Sequence, residues 1–522
     1  MNISNLTLEQ KVGQLFLVAL NGTTLSDEYK QHYKHYNLGN YIYFAQNLTD
    51  YKSIRQLSDS LQEVAKEISG IPAFISVDQE GGMVTRAYSG ATHFPSNMAI
   101  TASGMGDMVG KIGKMVGYEL KGLGINLNHA PVLDVNNNGN NPVIGIRSYA
   151  DNPAVVAQMG VEYINGLQSN GVMANAKHFP GHGDTNVDSH LALPSIDHDF
   201  DRLNTVELVP FKAALSDVDS IMTAHIIFKA IDPTVPATLS SKVITEFLRG
   251  KLGYEGLVLT DCMSMNAIKD FYTSEKGCVM AINAGADIIC LNGTMDVQAK
   301  CYTAVLEAAR AGEISMEKID TAVQRIIKYK EKYNLAAVNN PPQESYPPHN
   351  ALADEMSAKS ITLIKGSGTI TLDNASENIF AISPPPSKAN IADDTIVTQH
   401  TFCKKAAEEF GCNYAEITID PTDTEISDII AKTENHQVIL YATYNAILNP
   451  GQVNLFNALK NAGKQIATVS LRVPYDALAL KGADCYIAAY EYTNRAVTNT
   501  LLTLAGKIPF TGKLPLQHFE VI

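Results

Sequence analysis

The chain has 522 residues, of which 45% are hydrophobic and 18% are charged, and this length predicts two or more domains with sizeable cores. Its net charge of −14 argues against nucleic acid or an anionic membrane as a partner, because either one requires a basic surface. The seven cysteines form an odd set without a CxxC spacing and lie mostly in apolar runs, which predicts reduced core thiols in a cytosolic protein.

The N-terminal segment MNISNLTLEQKVGQLFLV has no basic region before its short and interrupted apolar run. This pattern predicts neither a signal peptide nor a membrane span. We therefore expect a cytoplasmic location, with a removed signal peptide or lipoprotein anchor left open. A monomer and a homodimer both remain open.

Eight apolar segments rich in strand-forming residues recur through the first two-thirds of the chain. They lie at Val12–Leu20, Leu38–Phe44, Ala73–Asp78, Gly124–His129, Val172–His178, Ser220–Ile227, Gly256–Asp261 and Ala286–Asn292. Helical patterns separate most of them, at Met108–Leu123, Pro153–Gln168, Asp201–Leu215, Ser241–Lys251 and Ser264–Ala284. This alternation predicts an α/β fold with a (β/α)8 TIM-like barrel over residues 1–333, and an open doubly wound sheet is the alternative.

A last amphipathic helix at Met316–Tyr333 precedes residues 334–350, whose stretch NNPPQESYPPHN predicts a linker. Over residues 351–522 the alternation resumes on a smaller scale and predicts an α/β/α sandwich of five or six strands. The predicted strands are Ser360–Lys365, Ile379–Ser383, Tyr414–Ile417, Val438–Tyr441, Ile466–Leu471 and Cys485–Ala489, and the helices are Phe402–Phe410, Glu425–Thr433, Leu455–Ala462 and Asn494–Ala505. We expect this domain to pack against the barrel and orient it, because it carries no comparable group of titratable residues.

The densest group of titratable side chains is the segment KHFPGHGDTNVDSH, which begins at Lys177. A zinc site is a poor interpretation, because Pro180, Gly181 and Gly183 prevent the helix that a His-x-x-x-His pair requires; we expect neither a metal nor another cofactor. Asp188 and His190 are two residues apart and share one side of an extended segment. A carboxylate beside an imidazole favours the imidazolium form, which predicts a general acid/base dyad.

Other polar residues follow the predicted strands and are therefore expected at the mouth of the barrel. They are Asp78 and Arg86, Asp134 and Arg147, Lys177 and His178, His225, and Asp261. Such a set of carboxylates and bases suits the hydroxyl groups of a sugar. Three alternatives stay open: Asp134 as a turn residue, His225 as a core histidine, and an Arg147–Asp134 pair that braces a loop. Gly81 and Gly82 are expected to let the backbone approach a ligand.

Five segments in this order resemble the β-N-acetylglucosaminidases of glycoside hydrolase family 3: LTLEQKVGQLF (6–16), VDQEGGMVTR (77–86), NPVIGIRSY (141–149), KHFPGHGDTNVDSHLALP (177–194) and LTDCMSM (259–265). The resemblance implies that Asp261 is the nucleophile and that His190 with Asp188 is the acid/base unit. It also implies that Asp78, Arg86, Arg147, Lys177 and His178 hold the hydroxyls of a terminal N-acetylglucosamine. Met83 departs from the basic residue that often follows the double glycine, which predicts altered contacts beyond the first sugar.

The implied activity is exo-acting, retaining release of terminal N-acetylglucosamine from peptidoglycan fragments or short chitooligosaccharides. A phosphorylase that uses the same site is one alternative, since a neutral histidine base tolerates phosphate better than a carboxylate does. A non-catalytic sugar-binding protein is the other alternative, and the joint presence of Asp261, His190 and Asp188 argues against it.

Overall fold

A computed structural model describes residues 3–186, 188, 192–335, 341–366, 378–388, 390, 392–394, 400–517 and 519. Eight strands form the first sheet: β1 (Phe16–Ala19), β2 (Tyr41–Tyr43), β3 (Ile75–Val77), β4 (Leu127–Asn128), β5 (Met173–Phe179), β6 (Ser220–Thr223), β7 (Leu257–Thr260) and β8 (Ile289–Leu291). Neighbouring strands pair in parallel, and β1 also pairs with β8. A parallel bridge between Leu259 and Ile288 joins β7 to β8. The sheet therefore closes, which confirms the predicted barrel.

Helices surround this barrel, and their bounds follow the predicted patterns closely. They are Leu8–Gln14, Asp27–His35, Tyr51–Ser69, Asn97–Ala102, Val109–Gly122, Pro153–Ser169, Phe200–Thr205, Leu208–Ala214, Lys242–Lys251, Asn266–Tyr272, Ser274–Ala284, Met295–Arg310 and Met316–Lys332. The predicted helices Asp201–Leu215 and Ser264–Ala284 are each divided into two observed helices. Thr273 interrupts the second one because its φ of 62° is not helical. Its side chain then accepts a hydrogen bond from the backbone of Lys276 and starts a new helix.

A six-stranded sheet forms the second domain: β9 (Thr362–Lys365), β10 (Ile379–Ser383), β11 (Asn413–Glu416), β12 (Val438–Thr443), β13 (Gln465–Ser470) and β14 (Cys485–Ala488). Its order is β9-β14-β13-β12-β10-β11, with β9 antiparallel to its neighbour. The accompanying helices are Pro347–Ser360, Phe402–Phe410, Asp423–Lys432, Pro450–Asn461, Asp476–Ala479 and Asn494–Leu504. Apolar cores cover both faces of the sheet, as the prediction of an α/β/α sandwich requires.

Alternate residues of β10 and β12 divide between these two cores, as strand geometry requires. Ala381 and Leu440 face one core, whereas Phe380 and Ile439 face the other. The first core also contains apolar residues of the barrel domain, namely Met83, Met98, Ala99, Ala102 and Ile146. The two domains therefore share a hydrophobic interface. Met83 is buried in this interface with 2% exposure, and the prediction of altered contacts beyond the first sugar stays a prediction.

The division of the chain at residues 334–350 stays a prediction. Within the described residues, no helix combines the length and the apolar character needed to cross a membrane.

Candidate active site

The carboxyl ends of the barrel strands surround a cavity of about 230 Å³. Six predicted site residues line it: Asp78, Arg86, Arg147, Lys177, His178 and Asp261. Asp188 is buried with 7% exposure but does not line this cavity. His190 lies outside the described residues, so the predicted Asp188–His190 dyad stays a prediction.

A network of charged side chains forms one wall of the cavity. The Nζ atom of Lys177 lies 2.6 Å from Asp78 Oδ1 and 2.7 Å from Glu80 Oε1. Arg147 donates two hydrogen bonds to Glu80, of 2.9 Å from Nε and 2.8 Å from Nη2. Lys177 and Arg147 therefore share Glu80, and the two-point contact fixes the plane of the guanidinium group.

The network keeps its members ionised at neutral pH. Burial acts to raise the pKa of the Glu80 carboxyl, but the charges of Arg147 and Lys177 outweigh burial and lower it to about 2. Burial opposes ionisation of Asp78 as well, and Lys177 nevertheless holds the pKa of that carboxyl well below its usual range. The pKa of Lys177 is raised in turn, because Asp78 and Glu80 outweigh the effect of burial. A ligand in the cavity therefore meets fixed charges that need little reorganisation.

Asp134 organises the start of the loop that follows β5. Its Oδ2 atom lies 2.7 Å from His178 Nδ1, and its Oδ1 atom accepts the backbone N–H groups of His178 and His182. The suggested Arg147–Asp134 pair is therefore wrong, because His178 and the loop backbone engage both oxygens of Asp134 while Arg147 binds Glu80. His178 is thus oriented by a carboxylate at the edge of the cavity.

Asn141 ties the loop after β4 to the loop after β5. Its side-chain amide donates to the carbonyls of His182 and Gly183, at 2.8 and 2.9 Å, and its Oδ1 atom accepts the N–H groups of Val143 and Ile144. A Cβ atom at Gly183 would lie 1.7 Å from the carbonyl oxygen of Val135. The Asn-rich stretch therefore has a defined role, and the close approach of the two loops requires glycine at 183.

Asp261 directly follows β7, where the sequence placed it. It is partly exposed and lines the cavity, and its Oδ1 atom accepts the N–H of Cys262 at 2.6 Å. His225 is fully buried and does not line the cavity. Its ring nitrogens lie 2.8 Å from Thr238 Oγ1 and 3.0 Å from the Cys262 carbonyl. His225 is therefore a core histidine that fixes the backbone beside Asp261.

His129 follows β4 and forms part of the cavity lining. Its ring contacts Ser76 Oγ at 3.0 Å and the Asn175 amide at 2.8 Å. Complete burial lowers the pKa of His129 to about 4, against a smaller opposing effect of Asp78. His129 is therefore neutral at physiological pH and serves as a hydrogen-bonding group between the strands.

The second domain also reaches the cavity. Ala392 is among its lining residues, and Asp394 Oδ1 lies 2.5 Å from Nη1 of Arg86. The expectation that this domain only packs against the barrel and orients it was therefore incomplete, because a carboxylate from it pairs with a cavity residue. Gly81 and Gly82, in turn, make their close approaches to Pro95 and Ser96 rather than to the cavity.

The model of the glycosyl hydrolase family 3 N-terminal domain matches residues 7–329. The chain belongs to glycosyl hydrolase family 3. It is 33% identical over 522 aligned residues to beta-hexosaminidase A of Pseudoalteromonas piscicida, covering 90% of this chain and 86% of that protein. It is also 27% identical to a beta-N-acetylglucosaminidase/beta-glucosidase of Cellulomonas fimi, over 86% of this chain and 84% of the relative.

Among solved structures, the chain is similar to a glycoside hydrolase family 3 beta-N-acetylglucosaminidase from Paenibacillus sp. str. FPU-7. The TM-score is 0.91 and the identity 40%, with 98% of this chain and 99% of that chain covered. These findings confirm the family and the two-domain architecture that the sequence motifs implied. The protein is a glycoside hydrolase.

Three residues at this site, Glu80, His129 and Asp394, were not predicted from the sequence. Glu80 could have been found, since it lies two residues after Asp78 in extended backbone and so shares its side. His129 ends the fourth predicted strand and carried the same signal as Asp78. Asp394 carried no local signal, because it lies 308 residues from Arg86 in the chain.

Within the described part of the chain, Asp184, His198 and Glu207 are the three residues whose possible metal-ligand atoms come within 4.8 Å of one another. Arg202 donates to both oxygens of Glu207, and His198 Nε2 lies 2.6 Å from Asp184 Oδ2. The Arg202 guanidinium thus already supplies the positive charge that these carboxylates require. This cluster does not border the cavity, and the absence of a metal requirement stays a prediction.

Proposed function

We propose that this family 3 glycoside hydrolase is an exo-acting, retaining β-N-acetylglucosaminidase. The observation that carries the proposal is the position of Asp261, a carboxylate that ends a buried strand and shares one cavity with Asp78, Arg86, Arg147, Lys177 and His178. The names of the relatives from Pseudoalteromonas piscicida and Paenibacillus support the same activity.

The dimensions of the cavity favour one terminal sugar over an internal segment of a polymer. Barrel loops line it on several sides, and Ala392 of the second domain lines it as well. Arg147 and Lys177 are already held by carboxylates, so their remaining N–H groups are oriented for hydroxyl oxygens. Asp78 and Glu80, which are ionised, accept hydrogen bonds from sugar hydroxyls.

The proposed reaction proceeds through a covalent intermediate. Asp261 attacks the anomeric carbon, and the bond to the leaving oxygen breaks as that oxygen takes a proton from His190. The neutral imidazole of His190 then removes a proton from water, which attacks the anomeric carbon and displaces Asp261. Two displacements at one carbon retain its configuration. Asp188 is proposed to orient His190 and to stabilise its protonated form.

A histidine in place of the usual second carboxylate removes a negative charge beside the leaving group. This difference favours substrates whose leaving group is itself anionic, such as muramic acid derivatives in peptidoglycan fragments. Short chitooligosaccharides are the neutral alternative. Comparing kcat/KM on N-acetylglucosaminyl-muramic acid fragments and on chitobiose assigns the natural class, and a preference for chitobiose would contradict the charge argument.

The activity itself is tested with aryl β-glycosides that differ only at C2, with acetamido in one and hydroxyl in the other. We expect turnover of the acetamido substrate with a kcat/KM at least about tenfold higher, equivalent to about 1.4 kcal/mol of transition-state stabilisation. Equal turnover, or a preference for the hydroxyl compound, would reject β-N-acetylglucosaminidase in favour of β-glucosidase. Absence of turnover on both compounds would favour a sugar-binding protein.

Phosphorolysis is distinguished by the product. With inorganic phosphate present, a phosphorylase yields N-acetylglucosamine 1-phosphate, whereas hydrolysis yields the free sugar. We expect the free sugar and a rate that does not depend on phosphate. Accumulation of the sugar phosphate would show that phosphate, and not water, is the acceptor in the second displacement.

A further inference from the structure

A short segment of the second domain, comprising Asn390 and residues 392–394, lies across the mouth of the barrel; we refer to it as the docking segment. The side-chain amide of Asn390 donates to the carbonyls of Pro142 and Val143, at 3.1 and 3.4 Å. The backbone N–H of Asp394 donates to the carbonyl of Met83 at 2.9 Å. The docking segment therefore contacts two different barrel loops, those that follow β4 and β3.

The docking segment is anchored on its own domain by a buried ion pair. Asp393 is fully buried and accepts hydrogen bonds from both terminal nitrogens of Arg472, which follows β13. The ring of Tyr444 lies 5.8 Å from the same guanidinium carbon. This arrangement fixes the backbone that precedes Asp394, so that Asp394 is presented to the barrel by a rigid support.

Asp394 makes two contacts with the loop that follows β3, at Thr85 and at Arg86. Its Oδ2 atom accepts the backbone N–H of Thr85 at 2.7 Å, and its Oδ1 atom accepts Nη1 of Arg86 at 2.5 Å. Both members of the ion pair are buried, with 6% and 9% of their side chains exposed. A buried charge that loses its partner is strongly disfavoured, so Arg86 depends on Asp394 for its position in the cavity.

Arg86 reaches the cavity, where a ligand can contact its side chain. It lines the cavity, and among the described residues no acceptor bonds its buried Nε atom. Its guanidinium carbon lies 5.8 Å from the centre of the Phe44 ring, which also lines the cavity. Lys177 and Arg147, which also line the cavity, are held by carboxylates of the barrel itself. Arg86 differs from them, because its carboxylate comes from the second domain.

We infer that Asp394 is a positioning residue of the sugar-binding site, which holds Arg86 in place so that the barrel site is complete only with the second domain docked. The inference rests on the proposed function in one respect, namely that Arg86 contacts the sugar. Asp394 acts through Arg86 and not on the reacting atoms. Loss of its charge should therefore weaken sugar binding more than it slows the chemical step.

The central experiment is a double-mutant cycle with Asp394→Asn, Arg86→Ala and the double variant, in the full chain. Asp394→Asn keeps the shape of the side chain and removes its charge. We expect KM to rise about tenfold or more while kcat changes by less than about threefold, the pattern of lost binding that is uniform in ground and transition states. In the double variant KM should equal that of Arg86→Ala alone. Losses in KM that multiply would overturn the inference.

Glu491→Gln is the matched control. Glu491 is another buried carboxylate of the second domain, and its Oε2 atom accepts a barrel backbone N–H, that of Ser96, at 2.7 Å. It does not border the cavity. We expect a lowered unfolding temperature with unchanged KM. If Glu491→Gln raises KM as much as Asp394→Asn does, the effect of Asp394 is general loosening of the interface and the inference fails.

Asp394→Glu is a conservative variant that keeps the negative charge. It also provides a second test of the inference if Asp394→Asn folds poorly. It restores the charge at the cost of one added methylene group. We expect its KM to lie between those of wild type and Asp394→Asn; a KM at or above the Asn value would show that shape and not charge matters. All variants are compared on whichever aryl glycoside the wild type turns over best. A wild type that prefers another sugar would therefore reject the proposed function and leave this test intact.

Discussion

The two ends of the barrel carry the same kind of interaction for different purposes. At the carboxyl end, Asp78 and Glu80 pair with Lys177. At the amino end, Asp287 precedes β8 and pairs with Arg249 at 2.6 Å and Arg325 at 3.1 Å. All three carboxylates form ion pairs with lysine or arginine side chains, yet only the pairs at the carboxyl end border the cavity of about 230 Å³.

This comparison teaches that a buried ion pair alone does not identify an active site. Asp287 accepts a third hydrogen bond, from the N–H of Val258 at 2.8 Å, so its pairing links β7 to the outer helices. Asp287 is buried, with 1% exposure, and does not line the cavity. In contrast, Asp78 and Lys177 line the cavity, where a ligand can contact them. Substitutions at the carboxyl end should therefore change activity, whereas those at the amino end should change stability.

The largest effect is expected for Asp261→Asn at the carboxyl end. Removal of the nucleophile leaves no alternative for the covalent step, so turnover should fall by about ten-thousandfold or more. The unfolding temperature should stay close to that of wild type, because Asp261 is partly exposed. Steady-state rates on an aryl N-acetylglucosaminide and a thermal melt are sufficient. Activity near that of wild type would remove Asp261 from the proposed mechanism.

His190→Ala is expected to have the next largest effect, and its size should depend on the leaving group. In a natural substrate the leaving group is a hydroxyl oxygen of another sugar, which must be protonated as the bond breaks. The glycosylation step on such substrates should therefore slow by roughly a hundred- to ten-thousandfold. An activated aryl leaving group departs unaided, and its first step should be nearly unchanged. Asp188→Asn should show a milder version of the same pattern. Pre-steady-state rates on aryl and alkyl glycosides measure this ratio; equal slowing on both substrates would make His190 a binding residue.

Asp287→Asn tests the amino end of the barrel. It leaves Arg249 and Arg325 without their buried partner, which should lower the free energy of unfolding by about 2–4 kcal/mol. Below the unfolding transition, kcat and KM should match those of wild type. Denaturant unfolding and steady-state kinetics on the same preparation test both halves of the statement. A large loss of activity in the folded variant would contradict the assignment of the two ends.

The smallest effect concerns pH. The pKa of His129 is about 4 in the folded protein because of burial, against an ordinary value of 6.5. The unfolded chain therefore binds a proton that the folded protein does not, and stability falls as the pH drops from 6.5 towards 4. Between pH 7 and pH 5, His129 should account for about 1–2 kcal/mol of this loss.

His129→Asn removes that titration, so its free energy of unfolding should fall less than that of wild type over the same interval. Asp78, Lys177, Asp261 and Glu80 also act on the pKa of His129 and remain in the variant. The difference between the two curves therefore reports the titration of His129, including the effect of these four groups on its pKa. Parallel curves for the two proteins would show that folding does not shift the pKa of His129.

The order of strands and helices could be predicted from the sequence alone. Each predicted barrel segment coincides with one observed strand, and β5 alone extends past its segment, by one residue. Strands buried on both faces form continuous apolar runs bounded by turn residues, which makes them visible in the sequence. The carboxyl ends of parallel strands meet on one side of a barrel, so polar residues after those runs converge. For that reason Asp78, Lys177 and Asp261 could be assigned to one site before any contact was known.

The partners of these residues were decided by the tertiary structure. Arg147 pairs with Glu80 and not with Asp134, although all three follow strands that are neighbours in the sheet. Asp394 reaches Arg86 across 308 residues of chain. A side chain's pairing depends on the distances between atoms that the fold brings together, and the periodicity of a sequence carries no information about those distances. The chain thus encodes which end of the barrel is reactive, and the packing of two domains determines how its charges are held.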